Sequence, residues 1–303
     1  MINRAAHGKL MRLGLRTHFG LQYTKAPMEM EKVFETRTSN QAYEEDVNLF
    51  GTGWAVVKAE GQSISYDTVG QGYTSRYVHE TLALGVEITE EAVEDNLYLR
   101  MIPQLGAGLA DSLRVTQDVR AINVLNYASS PAHPGGDGQP LLSTVHPLTG
   151  PGGGTASNTL AAPAQLSEAS IEELLINLRY AKNDRGLPIV IKPTRIVASA
   201  ALEFELERIL GSVGRVGTSD NEINAIRSRG YFQGEPILLR HLTNPNFWGI
   251  LTDVPNGLIH FTRRALRQKN DDNFDTGNHK FKVDARDSNG WTDWRKLFAC
   301  DPQ

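Results

Sequence analysis

One run of residues constrains this chain more than any other. An apolar period of three and four persists from about Leu97 to Tyr127: Ile102, Leu105, Leu109 and Leu113, then Val115, Val119 and Ile122. Pro103 falls in or near the first turn, where a missing N–H costs nothing. Unbroken, such a helix is about 45 Å long at 1.5 Å per residue. The chain has 303 residues, enough for about one or two domains. A helix of that length is long for a compact domain of this size.

The segment before it predicts strands. Trp54–Lys58 and Ser63–Val69 read as strands, and Gly70-Gln-Gly72 as a turn. Tyr73–Ile88 is rich in β-branched and aromatic residues, and Val78, Leu82, Leu84, Val86 and Ile88 share one parity. Its start is polar on both faces. The pattern predicts a long hairpin with a wet tip and an apolar root. Exposed strand edges invite pairing, which monomeric proteins avoid, so the hairpin calls for a covering partner.

Elsewhere the chain reads as mixed α+β. Residues 1–28 form an arm and 29–49 a polar, irregular segment. Thr89-Glu90-Glu91 starts a helix, with a cap and two acids at the positive end of its dipole. Residues 129–160 are loop-like. Ser170 with Glu173 predicts a capping box before a helix to about Lys182. Ile189–Ile191 and Ile196–Ala198 read as short strands, and Ala200–Leu210 as a helix stopped by Gly211. A short helix is expected at Glu222–Arg227 within a Gly- and Ser-rich stretch. Strands follow at Ile237–Arg240, Phe247–Thr252 and Leu258–Arg263. A charged loop to Asp275 leads into a last strand at Lys280–Ala285.

Composition excludes several classes. The chain is 40% hydrophobic and carries 31 Lys+Arg against 35 Asp+Glu, a net charge of −4. That is globular, not disordered, and lacks the positive excess of a dedicated nucleic-acid binder. The charge is uneven: Arg4, Lys9, Arg12, Arg16 and Lys25 precede the first acid, so the first 28 residues are +5 and the rest −9. The single cysteine, Cys300, rules out an internal disulfide framework and a Cys-rich zinc site. No run approaches the ~18 apolar residues of a membrane span, and the N-terminus lacks the apolar core of a secretory signal. The expectation is a soluble protein made in a reducing cytoplasm.

Candidate chemistry is sparse. The eight histidines never fall at H-x-x-x-H or H-x-H spacing. Gly150–Gly154 lacks a phosphate-loop pattern and no G-x-S-x-G elbow occurs. Cys300 has no base near it in sequence, which a nucleophilic cysteine requires. Glu90, Glu91 and Glu94 read as a solvated first turn, and Trp291 and Trp294 as core or subunit-contact residues. No catalytic, cofactor-binding or metal-ligating residue is expected.

The order of elements resembles the major capsid proteins of tailed bacteriophages, the HK97-like fold. Asp137-Gly-Gln-Pro-Leu-Leu-Ser-Thr-Val-His-Pro-Leu148, Asp253-Val-Pro-Asn-Gly-Leu258 and Phe281-Lys-Val-Asp-Ala-Arg-Asp-Ser-Asn-Gly-Trp-Thr-Asp-Trp-Arg295 resemble the Mu-like major head subunits. The resemblance implies an N-terminal arm over 1–50 and an extended E-loop hairpin over 51–88. It implies a peripheral domain with a long spine helix over 89–129 and 261–303, and an axial domain over 130–260. It implies a subunit that self-assembles as pentamers and hexamers into an icosahedral shell around double-stranded DNA. It implies scaffold and portal proteins as partners, leaves decoration proteins open, and implies assembly in the host bacterial cytoplasm and a final location in the virion. Arg4, Lys9, Arg12 and Arg16 would face the genome or thread between subunits. Gly211–Gly217 would adapt at the pores of the axial domain.

Some capsids of this fold weld subunits through a lysine, an asparagine and an acid. Lys58, Asn278 and Asp284 are the residues available here. The acid is a short aspartate and the asparagine sits in a loose Thr-Gly-Asn-His stretch, so non-covalent contacts alone are expected. Two other classes stay open: a cellular nanocompartment shell, and an α/β hydrolase with a non-local site.

Overall fold

A computed structural model describes residues 28–94, 98–214, 223–273 and 275–302. Its longest helix, α2 (Tyr98–Asn126), follows a short α1 (Glu90–Glu94) and matches the sequence period. One part of α2, through Leu109, Ala110 and Leu113, packs with Ile88, Phe281 and Val283. The other, through Ala121, Ile122 and Leu125, enters a larger core. One helix about 43 Å long at 1.5 Å per residue thus ties two cores together.

The first core is a four-stranded sheet ordered β1-β10-β11-β4, comprising β1 (Glu35–Thr38), β4 (Glu80–Ile88), β10 (Leu258–Asp272) and β11 (His279–Trp291). Here β1 runs parallel to β10, and β10, β11 and β4 are antiparallel. Alternation sets its faces: Phe281, Val283 and Ala285 are buried while Lys280 and Lys282 are exposed.

The second sheet is ordered β12-β9-β7-β8, from β7 (Pro193–Ser199), β8 (Ile237–Leu239), β9 (Trp248–Thr252) and β12 (Leu297–Cys300). All five residues of β9 are buried. α3 (Glu168–Arg179) covers the sheet with Ile171, Leu174, Leu175 and Leu178. α4 (Glu203–Gly211) adds Leu206 and Ile209, and α5 (Ala225–Arg229) adds Ile226. Two-residue strands β5 (His146–Pro147) and β6 (Thr155–Ala156) pair within the long loop after α2.

A separate two-stranded ribbon joins β2 (Tyr43–Phe50) to β3 (Gly70–Val78). Tyr73, Ser75 and Tyr77 turn inward from β3. The Tyr77 ring meets Phe261 edge-on at 4.9 Å, and its hydroxyl lies 2.6 Å from Thr292 Oγ1. That seats the ribbon's root on the first sheet.

Seven local expectations change, the first two being that Gly70–Gly72 opens β3 instead of turning and that β12 follows the strand at Lys280–Ala285. Residues 29–49 hold β1 and β2 rather than irregular chain, and residues 51–69 carry no strand, including Trp54–Lys58 and Ser63–Val69. The ribbon is closed by β2, whose acidic residues masked its alternation. The charged stretch after Arg263 continues as strand to Asp272, held by pairing with β11. Ile189–Ile191 has no ladder. The α3 cap is Ser167, whose Oγ accepts from Ser170 N at 3.1 Å while Ser170 Oγ accepts from Ser167 N at 2.9 Å, three residues before the expected cap.

Candidate functional site

The most reaction-like cluster is a structural knot. Asp137 Oδ2 lies 2.6 Å from His146 Nδ1, and Asn158 Oδ1 lies 3.2 Å from His146 Nε2. Asn158 Nδ2 donates to Leu141 O at 2.7 Å and Leu297 O at 3.0 Å. The ring of His146 stacks on Trp294. Both imidazole nitrogens are taken up by oxygens of Asp137 and Asn158, and the side chains of His146 and Asp137 are fully buried, out of reach of a substrate. The cluster fastens the loop after α2 to the C-terminal segment. Gly135 belongs to the same joint: a Cβ there would lie 2.1 Å from the Trp291 ring, so only glycine allows the approach.

Arg295 extends the knot. It is buried, with Nη2 donating to Asp184 Oδ1 at 2.9 Å and Nε to Lys182 O at 3.0 Å. Its guanidinium also lies over Trp294, 4.4 Å from the ring. Burying a guanidinium is tolerable only when it is so paired, because an unpaired buried charge leaves a desolvation penalty of several kcal/mol uncompensated. Cys300 is buried too, and burial pushes its thiol up from the ordinary range, away from the reactive thiolate. Among the described residues no group of three or more His, Cys, Asp or Glu is placed to hold a metal ion, and no helix is long and apolar enough to cross a membrane.

The surface that calls for a partner lies between β2 and β3. Trp54, Val56, Val57, Ile64, Tyr66 and Val69 are all exposed there, Val57 at 95% and Tyr66 at 86%. This run is tethered to its own chain. Asp67 accepts from Gly53 N at 2.7 Å and from Arg185 Nη2 at 2.7 Å, and Asn48 Nδ2 donates to Asp184 Oδ2 at 3.3 Å. The two backbone N–H groups of Gly53 and Thr68, then Arg185, hold the Asp67 carboxyl below the usual range. The tether fixes the run's base and leaves its apolar side chains uncovered.

The residues singled out in the sequence fall apart spatially. Arg4, Lys9, Arg12 and Arg16 lie outside the described residues, as do residues 215–217 of the glycine-rich loop. Asp284 is claimed by Arg267, which donates from Nη2 at 3.0 Å, and by Arg264, and these partners lower its carboxyl. Asn278 Nδ2 donates to Glu87 Oε1 at 2.9 Å. Six residues of extended chain, about 20 Å, separate Asn278 from Asp284. Lys58 sits in the exposed run. Trp291 and Trp294 are core residues. The buried Asp137, His146, Asn158 and Arg295 were not singled out as a group; the closely spaced polar residues flanking Trp291 and Trp294 were the available signal.

A profile of the family described as phage capsid protein matches residues 72–299, about three quarters of the chain. The chain belongs to the phage capsid protein family. Its function is that of a major capsid shell protein. No curated protein sequence matches this capsid protein significantly. Solved structures share its fold at low identity. The procapsid of bacteriophage JBD30 aligns with a TM-score of 0.55 at 14% identity, covering 100% of this chain and 77% of that one. The capsid of an empty GTA particle gives 0.52 at 13%, covering 90% and 89%. The virus-like particle from Pyrococcus furiosus gives 0.52 at 10%, covering 95% and 98%.

Proposed function

We propose that this capsid protein is the major head subunit of a tailed bacteriophage, HK97-like in arrangement and Mu-like in kind. In this reading α2 is the spine helix of a peripheral domain formed by 89–129 and 261–303. Residues 130–260 are the axial domain, 51–88 the E-loop and 1–50 the arm. The ribbon ladder starts at Tyr43, so the arm segment supplies the E-loop's first strand.

The observation that carries the reading is the uncovered apolar run over 51–69. Exposed side chains such as Trp54, Val57 and Tyr66 cost solubility in a monomer and reward burial against a neighbour. Copies assemble as pentamers and hexamers into a closed icosahedral shell. A scaffold protein, a portal and packaged double-stranded DNA are the partners, and assembly takes place in the host bacterial cytoplasm. The acidic body suits a shell along which DNA must move, because affinity for DNA grows with each phosphate neutralised.

Arg4, Lys9, Arg12 and Arg16 face the genome or pass between subunits, and reversing Arg4, Arg12 and Arg16 separates the two. Normal shells with altered DNA filling place the arm inside; loss of shells places it between subunits. The likeness to the Pyrococcus furiosus virus-like particle is compatible with a second reading, a shell around enzymes instead of a genome. Negative-stain microscopy of the expressed protein, with and without a scaffold, tests both. Closed shells support a container, and a small soluble species with no shells overturns it.

A further inference from the structure

The second sheet carries two unlike surfaces at opposite ends of β7. At its start is a cleft of about 470 Å³ between α3 and residues 189–193, lined by Leu175, Leu178, Ile189, Ile191 and Tyr231. Its charged lining residues are Arg179 and Lys192, both basic. The lip is apolar. The Lys182–Pro188 bridge and the Ile189 N to Ala181 O bond hold Ile189 beside Ala181, just past the end of α3, and Tyr180 and Val190 are both exposed there, Val190 at 91%. Ile176, also exposed, lies one turn back from Tyr180 on α3.

Past the other end of β7, α4 presents Phe204 at 74% exposure. Glu203, Glu205 and Glu207 flank it, all exposed. Arg208, one turn on, is drawn back so that its Nε donates to Phe204 O at 3.1 Å. One surface is thus an aromatic knob in an acidic collar, and the other an apolar cleft with basic walls. The seven residues of β7 separate them by about 23 Å.

We propose that Phe204 of one copy inserts into the cleft between α3 and residues 189–193 of the next copy, with Glu203 and Glu205 meeting Arg179 and Lys192. The cleft has room for an aromatic side chain, and buried aromatic anchors with a charged rim supply most of the energy of such contacts. The two surfaces do not coincide, so the contact is head-to-tail, and a head-to-tail contact that closes makes a ring. This rests on the shell reading and names the contact that turns subunits into its rings.

The test uses full-length protein under conditions where the wild type forms shells. Phe204→Asp should leave far-UV circular dichroism and the melting temperature of the soluble subunit unchanged and cut the assembled fraction about tenfold or more. Lys192→Glu should do the same, and adding Glu205→Lys to it should restore assembly. Val190→Cys with Phe204→Cys, oxidised after assembly, should give a detergent-resistant ladder ending at five or six subunits, because the native Cys300 is buried. Wild-type shells alongside only monomer bands from the cysteine pair, or full assembly of Phe204→Asp, would overturn the contact alone. No wild-type shells under any scaffold condition would overturn the shell reading and the contact with it.

Discussion

The His146 imidazole lies flat against the Trp294 indole, ring centroids 4.5 Å apart and planes 3° from parallel. Asp137 holds the ring's other edge at 2.6 Å. His146→Ala removes the stack and one of the two hydrogen-bond partners of the buried Asp137 carboxyl, Gln139 N remaining at 3.0 Å. The expected loss is about 1–3 kcal/mol, read from urea unfolding of the soluble subunit. A loss below about 1 kcal/mol would show that the knot does not hold the loop to the C-terminal segment.

His79 stands where β3 gives way to β4, buried between Ser39 Oγ at 2.9 Å from Nε2 and Ser288 Oγ at 2.9 Å from Nδ1. Burial, then Arg286, lowers its pKa from the ordinary 6.5. With the folded pKa below the unfolded one, the unfolded chain binds the extra proton first. The contribution to stability is whole above about pH 6.5 and is lost as pH falls through the folded pKa. Unfolding at pH 7.5 and 5.5 should show a decline that His79→Gln flattens. An unchanged decline in that variant would remove His79 as its source.

Tyr66→Asp and Val57→Asp change side chains that touch little of their own chain. Stability of the soluble subunit should stay within about 0.5 kcal/mol while shell formation falls sharply. Shells at wild-type yield from both variants would contradict a covered loop.

The shell should hold without covalent welding. Asp284 is bound by two arginines and Asn278 by Glu87, and a lysine attacks only as the free amine, with a group placed to take its proton. Particles boiled in detergent should run as one band at 33.4 kDa. A ladder of multiples would show a weld that this arrangement gives no reason to expect.

The helix was legible because its apolar period of 3.6 holds through Leu105, Leu109 and Leu113 and resumes at Ala121, Ile122 and Leu125, although Gln117 and Asp118 take the buried positions between them and Val115 is exposed. The ribbon was not, because Tyr73–Ile88 looks like one strand. Its buried parity is odd at Tyr73, Ser75, Tyr77 and His79, then even at Leu82, Val86 and Ile88. That switch marks the change of sheet, but Ser75 and His79 are polar and hid it. Strand beyond Arg263 was invisible for another reason: its order comes from β11, and neither face of its end is apolar. The His146 knot joins residues more than a hundred positions apart, which spacing along the chain does not report.

Electron cryomicroscopy of assembled particles tests the central claim most directly. Residues 51–69 should lie across a neighbouring subunit, with Trp54, Val57 and Tyr66 covered by it. Density for the same residues folded flat on their own 130–260 region, with no neighbour against them, would contradict the account.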